Sequence, residues 1–387
     1  MYYALRTNVN SDLPTLTLSK VCNMSNLAKS LWLQKKKMLT CFPIDEDGND
    51  GNQESDVPSM ANLEDDLVLI EEYEKAKLLF LIQDIYRIED TEIEIKTLYR
   101  PPKNKSAPIL ICHHGAGSSA MTFWNLANDA YNELGYGSFL YDARGHGDST
   151  ESDHLDLSLE ALTNDCKFVL QEFVRRHKPE SILTLVGHSL GGAVFTNFLT
   201  TQYDPNEFNG VVVSGLVVID IVEELAIRAL LTTESFIGRM PRSFATYTDS
   251  IQWHLDSRLL NNYESAKISV CHLLKRGSGE RLFWKCNFNQ LPKFWNTWFP
   301  GLSKNFIVST NGAVSKLLLL STNETLDKEL MIGQMQGKYQ LIVFNKSSKT
   351  GHFLQEDACK QTLLSILDFI RRIELTNKLR SENNWRP

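Results

Sequence analysis

The sequence predicts an α/β fold in which a mostly parallel sheet is flanked by helices. The main observation is an alternation of short apolar runs with segments of helical periodicity, which begins after Leu67. The runs at 109–112, 137–141 and 182–186 are typical of buried strands, and 156–176 has apolar residues at helical spacing. Strands that alternate with helices form parallel sheets covered on both faces.

The alternation is lost between residues 220 and 315. This stretch contains four of the seven tryptophans together with basic residues, and its pattern is mainly helical. A segment of this size between two predicted strands indicates a cap inserted into the main domain. We therefore predict one large domain at 67–387 that carries a mainly helical cap at about 221–315.

The first 66 residues are predicted to be a flexible acidic appendage. Residues 45–66 are rich in Asp, Glu, Asn, Gly and Ser and nearly free of large apolar side chains. Such a segment buries too little apolar surface to offset the entropy lost on ordering.

Composition excludes several classes of function. The net charge is −7, and no basic stripe of the kind that binds nucleic acid is present. No apolar run approaches the roughly 20 residues that span a bilayer, so we expect no membrane partner.

The seven cysteines are dispersed and form no C-x-x-C pair. This spacing argues against disulfides and zinc, and it predicts a reducing compartment: the cytoplasm, with the nucleus also open.

The strongest chemical signal is the segment Gly187–Gly191, which has the pattern Gly-x-Ser-x-Gly directly after a predicted strand. In α/β-hydrolases this pattern forms a sharp strand-to-helix turn that exposes the serine hydroxyl. The flanking residues are small because the turn brings backbone segments close together. The sequence therefore predicts an α/β-hydrolase fold with Ser189 as the nucleophile.

A serine nucleophile needs a general base, and His352 is the predicted one. It follows the apolar run at 341–344 and precedes a closing helix at about 357–372. That loop is where an α/β-hydrolase carries its histidine, late in the chain and after the nucleophile.

The oxyanion hole of this fold uses two backbone N–H groups, one from the residue after the nucleophile and one from a loop after an early strand. We assign these groups to Leu190 and Ala116. No cofactor is expected, since the two amides supply the charge stabilisation that a metal would otherwise provide. The adjacent His113 and His114 lack a third ligand at a spacing typical of metal sites.

The acid that orients the histidine is left open by spacing. It must lie at the carboxyl end of a strand near His352. Asp220 ends the run at 211–219, and Asp327 follows the run at 316–320, while Glu324 is a weaker third candidate.

Beyond these motifs, the chain resembles the protein phosphatase methylesterase family from about residue 90 to 372. The matching stretches are His113–Ser119, Asp142–His146, Gly187–Gly192, Ile219–Glu223, Leu326–Gln340 and Gly351-His352 with Glu356-Asp357. The resemblance implies an esterase that removes the methyl ester from the C-terminal residue of the catalytic subunit of protein phosphatase 2A. That subunit would be both substrate and partner. The resemblance also implies the triad Ser189, Asp220 and His352.

Two other functions remain as alternatives. One is a different serine hydrolase of the same fold, such as a lipase, thioesterase or peptidase. The other is a scaffold that binds the phosphatase without catalysis. An enzyme with an aspartate nucleophile is disfavoured because serine occupies the turn at position 189.

Overall fold

The computed structural model describes residues 60–277, 280–321, 326–344 and 350–382. Most of the predicted appendage, residues 1–59, lies outside the described residues. Residues 60–66 belong to helix α1 (Met60–Lys77), which crosses the predicted boundary. The carboxylate of Asp66 is buried and accepts hydrogen bonds from the amides of Tyr247 and Thr248 in the cap. These residues are therefore part of the folded domain.

Among the described residues, the central sheet has eight strands. Their bounds are β1 Ile82–Arg87, β2 Glu94–Arg100, β3 Ile109–His113, β4 Gly137–Tyr141, β5 Leu183–His188, β6 Val213–Ile219, β10 Ser315–Leu320 and β11 Gln340–Val343. They lie in the order β1-β2-β4-β3-β5-β6-β10-β11. The pairs β1–β2 and β2–β4 are antiparallel, and all other pairs are parallel.

The central strands read as continuous apolar runs because helices cover both faces of the sheet. Every residue of β3, β4, β5 and β6 is buried. In the register of the sheet, His113 lies beside Gly187, and His188 lies beside Ile219. The carboxyl ends of three neighbouring strands therefore meet at one edge.

The described helices that flank the sheet include α2 Trp124–Leu134, α3 Leu159–His177, α4 Leu190–Thr201 and α12 Cys359–Glu382. Helix α3 starts at Ser158, whose hydroxyl accepts a hydrogen bond from the amide of Ala161, and it ends at Lys178 in a left-handed conformation. Such caps satisfy backbone groups that the helix leaves unpaired. Within the described ranges, no helix is both long and apolar enough to span a bilayer.

The cap lies between β6 and β10, and it is built from helices and a small sheet. Its helices are α5 Glu223–Ile237, α6 Tyr247–Asp256, α7 Tyr263–Leu273, α8 Trp295–Trp298 and α9 Leu302–Val308. The small antiparallel sheet has the order β7-β9-β8, with β7 Ser243–Phe244, β8 Leu274–Arg276 and β9 Leu282–Trp284. The sequence did not predict these strands, because two or three residues are too few to show a period. Helix α1 packs against α6 and α7.

After the cap, the chain from β10 onward completes the sheet and reaches the edge where the carboxyl ends of the strands meet. Helix α10 (Lys328–Met335) connects β10 to β11, and the short helix α11 (Leu354–Asp357) precedes α12. The chain between β11 and α11 carries His352. The predicted α/β-hydrolase fold, with its mostly parallel sheet and flanking helices, is confirmed.

Candidate active site

Ser189 lies on the sharp turn between β5 and α4, with φ of 50° and ψ of −118°. A residue other than glycine rarely adopts positive φ, and the strain is of order 1–3 kcal/mol. A Cβ atom at Gly187 would lie 2.5 Å from the carbonyl oxygen of Gly191. A Cβ atom at Gly191 would lie 2.2 Å from the carbonyl oxygen of His113. Both glycines are therefore required for the serine to take this position.

His352 and Asp220 form a hydrogen-bonded pair. The imidazole Nδ1 lies 2.9 Å from the carboxylate Oδ2 of Asp220, and the amide of Ser321 donates to the other carboxylate oxygen at 2.6 Å. Because a carboxylate only accepts, Nδ1 carries the proton and Nε2 is left as a base. The Asp220 side chain is 2% exposed, whereas that of His352 is 47% exposed. The pair thus has a fixed acid and an accessible imidazole.

Asp327, the other candidate acid, has a different role. It is the N-cap of α10, where its carboxylate accepts a hydrogen bond from the amide of Leu330 at 3.0 Å. The hydroxyl of Ser303 donates to the second carboxylate oxygen. Glu324 lies outside the described residues. The structure therefore brings Asp220, and not Asp327, to His352.

Ser189 and His352 line the same cavity. Among the described residues, no hydrogen bond joins the serine hydroxyl to the imidazole. Hydrogen bonds between a nucleophile and its base are often long before substrate binds. The structure thus places the serine and the histidine in the wall of one cavity, without a direct hydrogen bond between them.

The side chains of His188 and Asp357 help to hold the loop that carries His352. His188 Nε2 donates to the carbonyl oxygen of His352 at 2.9 Å, and the two rings are 4.6 Å apart between centroids. Asp357 accepts from the amide of Gly351 and from the amide of Asn261 in the cap, both at 2.7 Å. The loop is therefore anchored to both the turn that carries Ser189 and the cap.

Ala116 lines the cavity beside Ser189, and Leu190 is the first residue of α4. Neither backbone amide donates a hydrogen bond to any described residue. An amide at the start of a helix has no partner within the helix, and the helix dipole favours negative charge there. Both predicted oxyanion donors thus have N–H groups that no described residue accepts from.

Buried histidines fix the loop that carries Ala116. His114 Nε2 accepts from the amide of Ala143, and His146 Nε2 accepts from the amide of Gly117, both at 3.0 Å. Burial lowers the pKa of both rings, and it lowers the pKa of His113 to about 4. The three rings are therefore neutral hydrogen-bonding groups. Among the described residues, no group of three or more His, Cys, Asp or Glu side chains is placed to hold a metal ion.

The cavity above Ser189 has a volume of about 550 Å³ and a largely apolar wall supplied mostly by the cap. Trp284, Trp295 and Trp298 line it, whereas Trp253 packs against other cap aromatics. Glu356 is an exception to the apolar wall. It is buried and hydrogen-bonded to the hydroxyls of Thr122 and Ser269, and burial raises its pKa to about 8.

Comparison with known proteins shows the family to which this chain belongs. A family model described as "Alpha/beta hydrolase family" matches residues 110–363. A curated relative from Debaryomyces hansenii, named "Protein phosphatase methylesterase 1", is 47% identical and covers 78% of this chain and 77% of its own length. A relative of the same name from Candida albicans is 44% identical and covers 81% of each chain. The chain belongs to the protein phosphatase methylesterase family.

Solved structures place this methylesterase family member within a wider fold. "E-2-(Acetamidomethylene)succinate Hydrolase" has a TM-score of 0.59 at 16% identity and covers 75% of this chain and 100% of its own. A Mycobacterium tuberculosis esterase has a TM-score of 0.51 at 18% identity and covers 78% of this chain and 98% of its own. These likenesses show the fold alone. Family and fold together make this methylesterase family member a hydrolase of carboxylic esters.

Sequence reasoning missed the surroundings of the predicted site. The spacing of residues predicted no function for His188, and it did not predict that Glu356 would be buried. His188 directly precedes the predicted nucleophile, and Glu356 closely follows the predicted base, so their proximity to the motifs was the available signal. Their partners lie far away in the chain and depend on the folded methylesterase domain.

Proposed function

We propose that this protein is a serine methylesterase that removes the methyl ester from the C-terminal residue of the catalytic subunit of protein phosphatase 2A. The observation that carries the proposal is the strained Ser189 in one cavity with the His352–Asp220 pair. The names of the relatives support the methyl ester and the phosphatase. The motif resemblance supports the 2A enzyme and the C-terminal residue.

In the first half of the proposed reaction, His352 Nε2 takes the proton from the Ser189 hydroxyl as Oγ attacks the ester carbonyl. The carbonyl oxygen becomes an oxyanion, which the amides of Leu190 and Ala116 stabilise. Asp220 stabilises the imidazolium. The bond to the methoxy oxygen then breaks, His352 returns the proton to that oxygen, and methanol leaves an acyl-enzyme.

The second half repeats this chemistry with water. His352 takes a proton from water, whose oxygen attacks the acyl carbon, and the same two amides hold the oxyanion. The bond to Ser189 Oγ breaks and the serine recovers its proton from His352. The product is the free C-terminal carboxylate. No step requires an oxidant, reductant or metal, because proton transfer and backbone hydrogen bonds supply the chemistry.

The test is methanol release from carboxymethylated phosphatase 2A catalytic subunit by the full chain. Wild type and a matched control, Ser365→Ala on helix α12, should release one methanol per methylated subunit. Ser189→Ala should lower the rate by about 10⁴-fold or more. Near-normal release by Ser189→Ala would refute the role of this serine.

The alternatives give different outcomes in the same preparation. An enzyme that hydrolyses p-nitrophenyl esters but releases no methanol from the phosphatase would be another serine hydrolase. A protein that binds the phosphatase but fails to react with a fluorophosphonate would be a scaffold. Either result would overturn the methylesterase proposal.

A further inference from the structure

The cavity contains a buried imidazole that the reaction does not use. His254 lies on cap helix α6, lines the cavity and is 4% exposed. Its Nδ1 lies 2.7 Å from the carbonyl oxygen of Ser250. Because a carbonyl only accepts, Nδ1 carries the proton and Nε2 keeps an unshared lone pair. Nε2 has no hydrogen-bond partner among the described residues.

An aromatic wall connects His254 to the predicted oxyanion loop. Phe288 packs so closely on Gly117 that a Cβ atom there would lie 2.4 Å from its ring. The Phe288 and Trp284 rings are 5.4 Å apart between centroids, and the Trp284 and His254 rings are 5.6 Å apart. All three rings line the same cavity. Two ring contacts, His254 with Trp284 and Trp284 with Phe288, therefore connect His254 to the loop where an ester carbonyl would bind.

The length of this wall restricts which part of a substrate reaches His254. An extended peptide advances about 3.3 Å per residue. With its ester carbonyl at Ser189, a peptide would bring to His254 a group from the esterified residue or from the few residues before it. This group lies on the acyl side of the ester, since methanol is the only leaving group.

The charge state of His254 restricts the chemistry of that group. Burial lowers the pKa of His254 to about 4, so the ring is neutral at pH 7 and its Nε2 accepts. A carboxylate has no proton to donate. Arg239 also lines the cavity and disfavours a cationic donor. The remaining partner is a neutral O–H or N–H carried on an apolar or aromatic body that fits the wall.

We propose that His254 is a specificity-determining residue that accepts a hydrogen bond from a neutral O–H or N–H on the acyl side of the ester. A buried acceptor favours the substrate that supplies a donor, because an analogue without one leaves the acceptor unpaired. The inference rests on the proposed function only in taking the cavity as the acyl site of an ester hydrolase.

The test uses p-nitrophenyl esters whose acyl chains end in a phenol or in a phenyl ring, over a series of chain lengths. A second set compares indolyl with naphthyl ends. The full-length wild type is compared with His254→Phe, which keeps an aromatic ring but removes the acceptor. His154→Phe, at an exposed histidine, is the matched control. The values of kcat/KM for two enzymes and two esters form a double-mutant cycle, in which one change is the substitution in the protein and the other is the loss of the donor from the ester.

Wild type and His154→Phe should prefer the donor-bearing ester by about tenfold at one or more chain lengths, and His254→Phe should lose that preference. His254→Gln, whose amide can place an oxygen near the position of Nε2, should recover part of it. Hydrolysis of p-nitrophenyl acetate, whose acyl group is too short to reach His254, should stay within about threefold in all variants.

The inference would be overturned if the effects of His254→Phe and of donor removal on kcat/KM were additive at every chain length and for both donors. A parallel fall for acetate and for all longer esters would also overturn it, because it would show a structural role for His254. If these esters are hydrolysed with the expected preference but methylated phosphatase yields no methanol, the proposed function fails and the His254 subsite stands.

Discussion

The ionisation of Glu356 is expected to set part of the pH dependence of stability. This carboxyl lies on α11, is 3% exposed and is hydrogen-bonded to the hydroxyls of Thr122 and Ser269. Among the described residues, no basic side chain pairs with it. Burial raises the pKa of Glu356 to about 8, the two hydroxyls counteract part of the rise, and the charge of Asp357 adds to it.

The sign and size of the effect follow from this rise. The folded protein keeps a proton on Glu356 between pH 4.5 and about 8, where an unfolded chain loses it. The stabilisation is therefore complete below pH 4.5 and is lost as the pH rises to about 8. At 1.36 kcal/mol per pKa unit, the rise from 4.5 to about 8 corresponds to about 5 kcal/mol as an upper limit.

Glu356→Gln removes the titration and preserves the shape of the side chain. We expect wild type to lose stability relative to this variant as the pH is raised from about 5 to 8. Urea unfolding at several pH values gives the difference in unfolding free energy, and other titrating groups cancel in that difference. Glu374→Gln, at an exposed site on α12, should follow the wild-type curve. Parallel curves for wild type and Glu356→Gln would show that the folded protein does not hold a proton on Glu356 over this pH range.

Two further predictions concern the acid and the nucleophile turn. Asp220→Asn should lower kcat by about 10⁴-fold, because an amide does not hold the same tautomer of His352, whereas Asp327→Asn should keep activity. Ester kinetics compare the two, and a larger loss in Asp327→Asn would overturn the choice of acid. Gly191→Ala should cost about 3 kcal/mol or more in urea unfolding, because its Cβ would lie 2.2 Å from a carbonyl oxygen. Gly238→Ala, whose Cβ would have 3.6 Å of space, should change stability by about 1 kcal/mol or less, and equal effects would contradict the steric argument.

The centre of the sheet could be predicted because burial on both faces leaves a continuous apolar run in the sequence. The runs at 109–112 and 137–141 fall within β3 and β4, and the run at 182–186 starts one residue before β5 and stops two residues before its end. The strands of the cap could not be predicted, since each has only two or three residues. The start of α1 was also missed, because acidic residues such as Asp66 gain their partners only when the cap is folded.

Some residues of the candidate site are likewise marked by local sequence patterns, whereas others are identified only by contacts in the folded protein. Ser189 and His352 are marked by local patterns, a turn with small neighbours and a loop after the last strand. Spacing left Asp220 and Asp327 open, because β6 and β10 are neighbouring parallel strands whose carboxyl ends lie at the same edge. Hydrogen bonds that join distant parts of the chain distinguish them. The lone pair of His254 likewise becomes visible only when helix α6 and the cavity are both known.

We propose above that Ser189 is the nucleophile and that His352 with Asp220 activates it. The most direct measurement is labelling of the full chain with a fluorophosphonate, followed by peptide mass spectrometry and an assay of residual esterase activity. We predict one adduct, on Ser189, with loss of activity in proportion to labelling, and much slower labelling of His352→Gln. An adduct on another residue, together with full activity in Ser189→Ala, would contradict the claim.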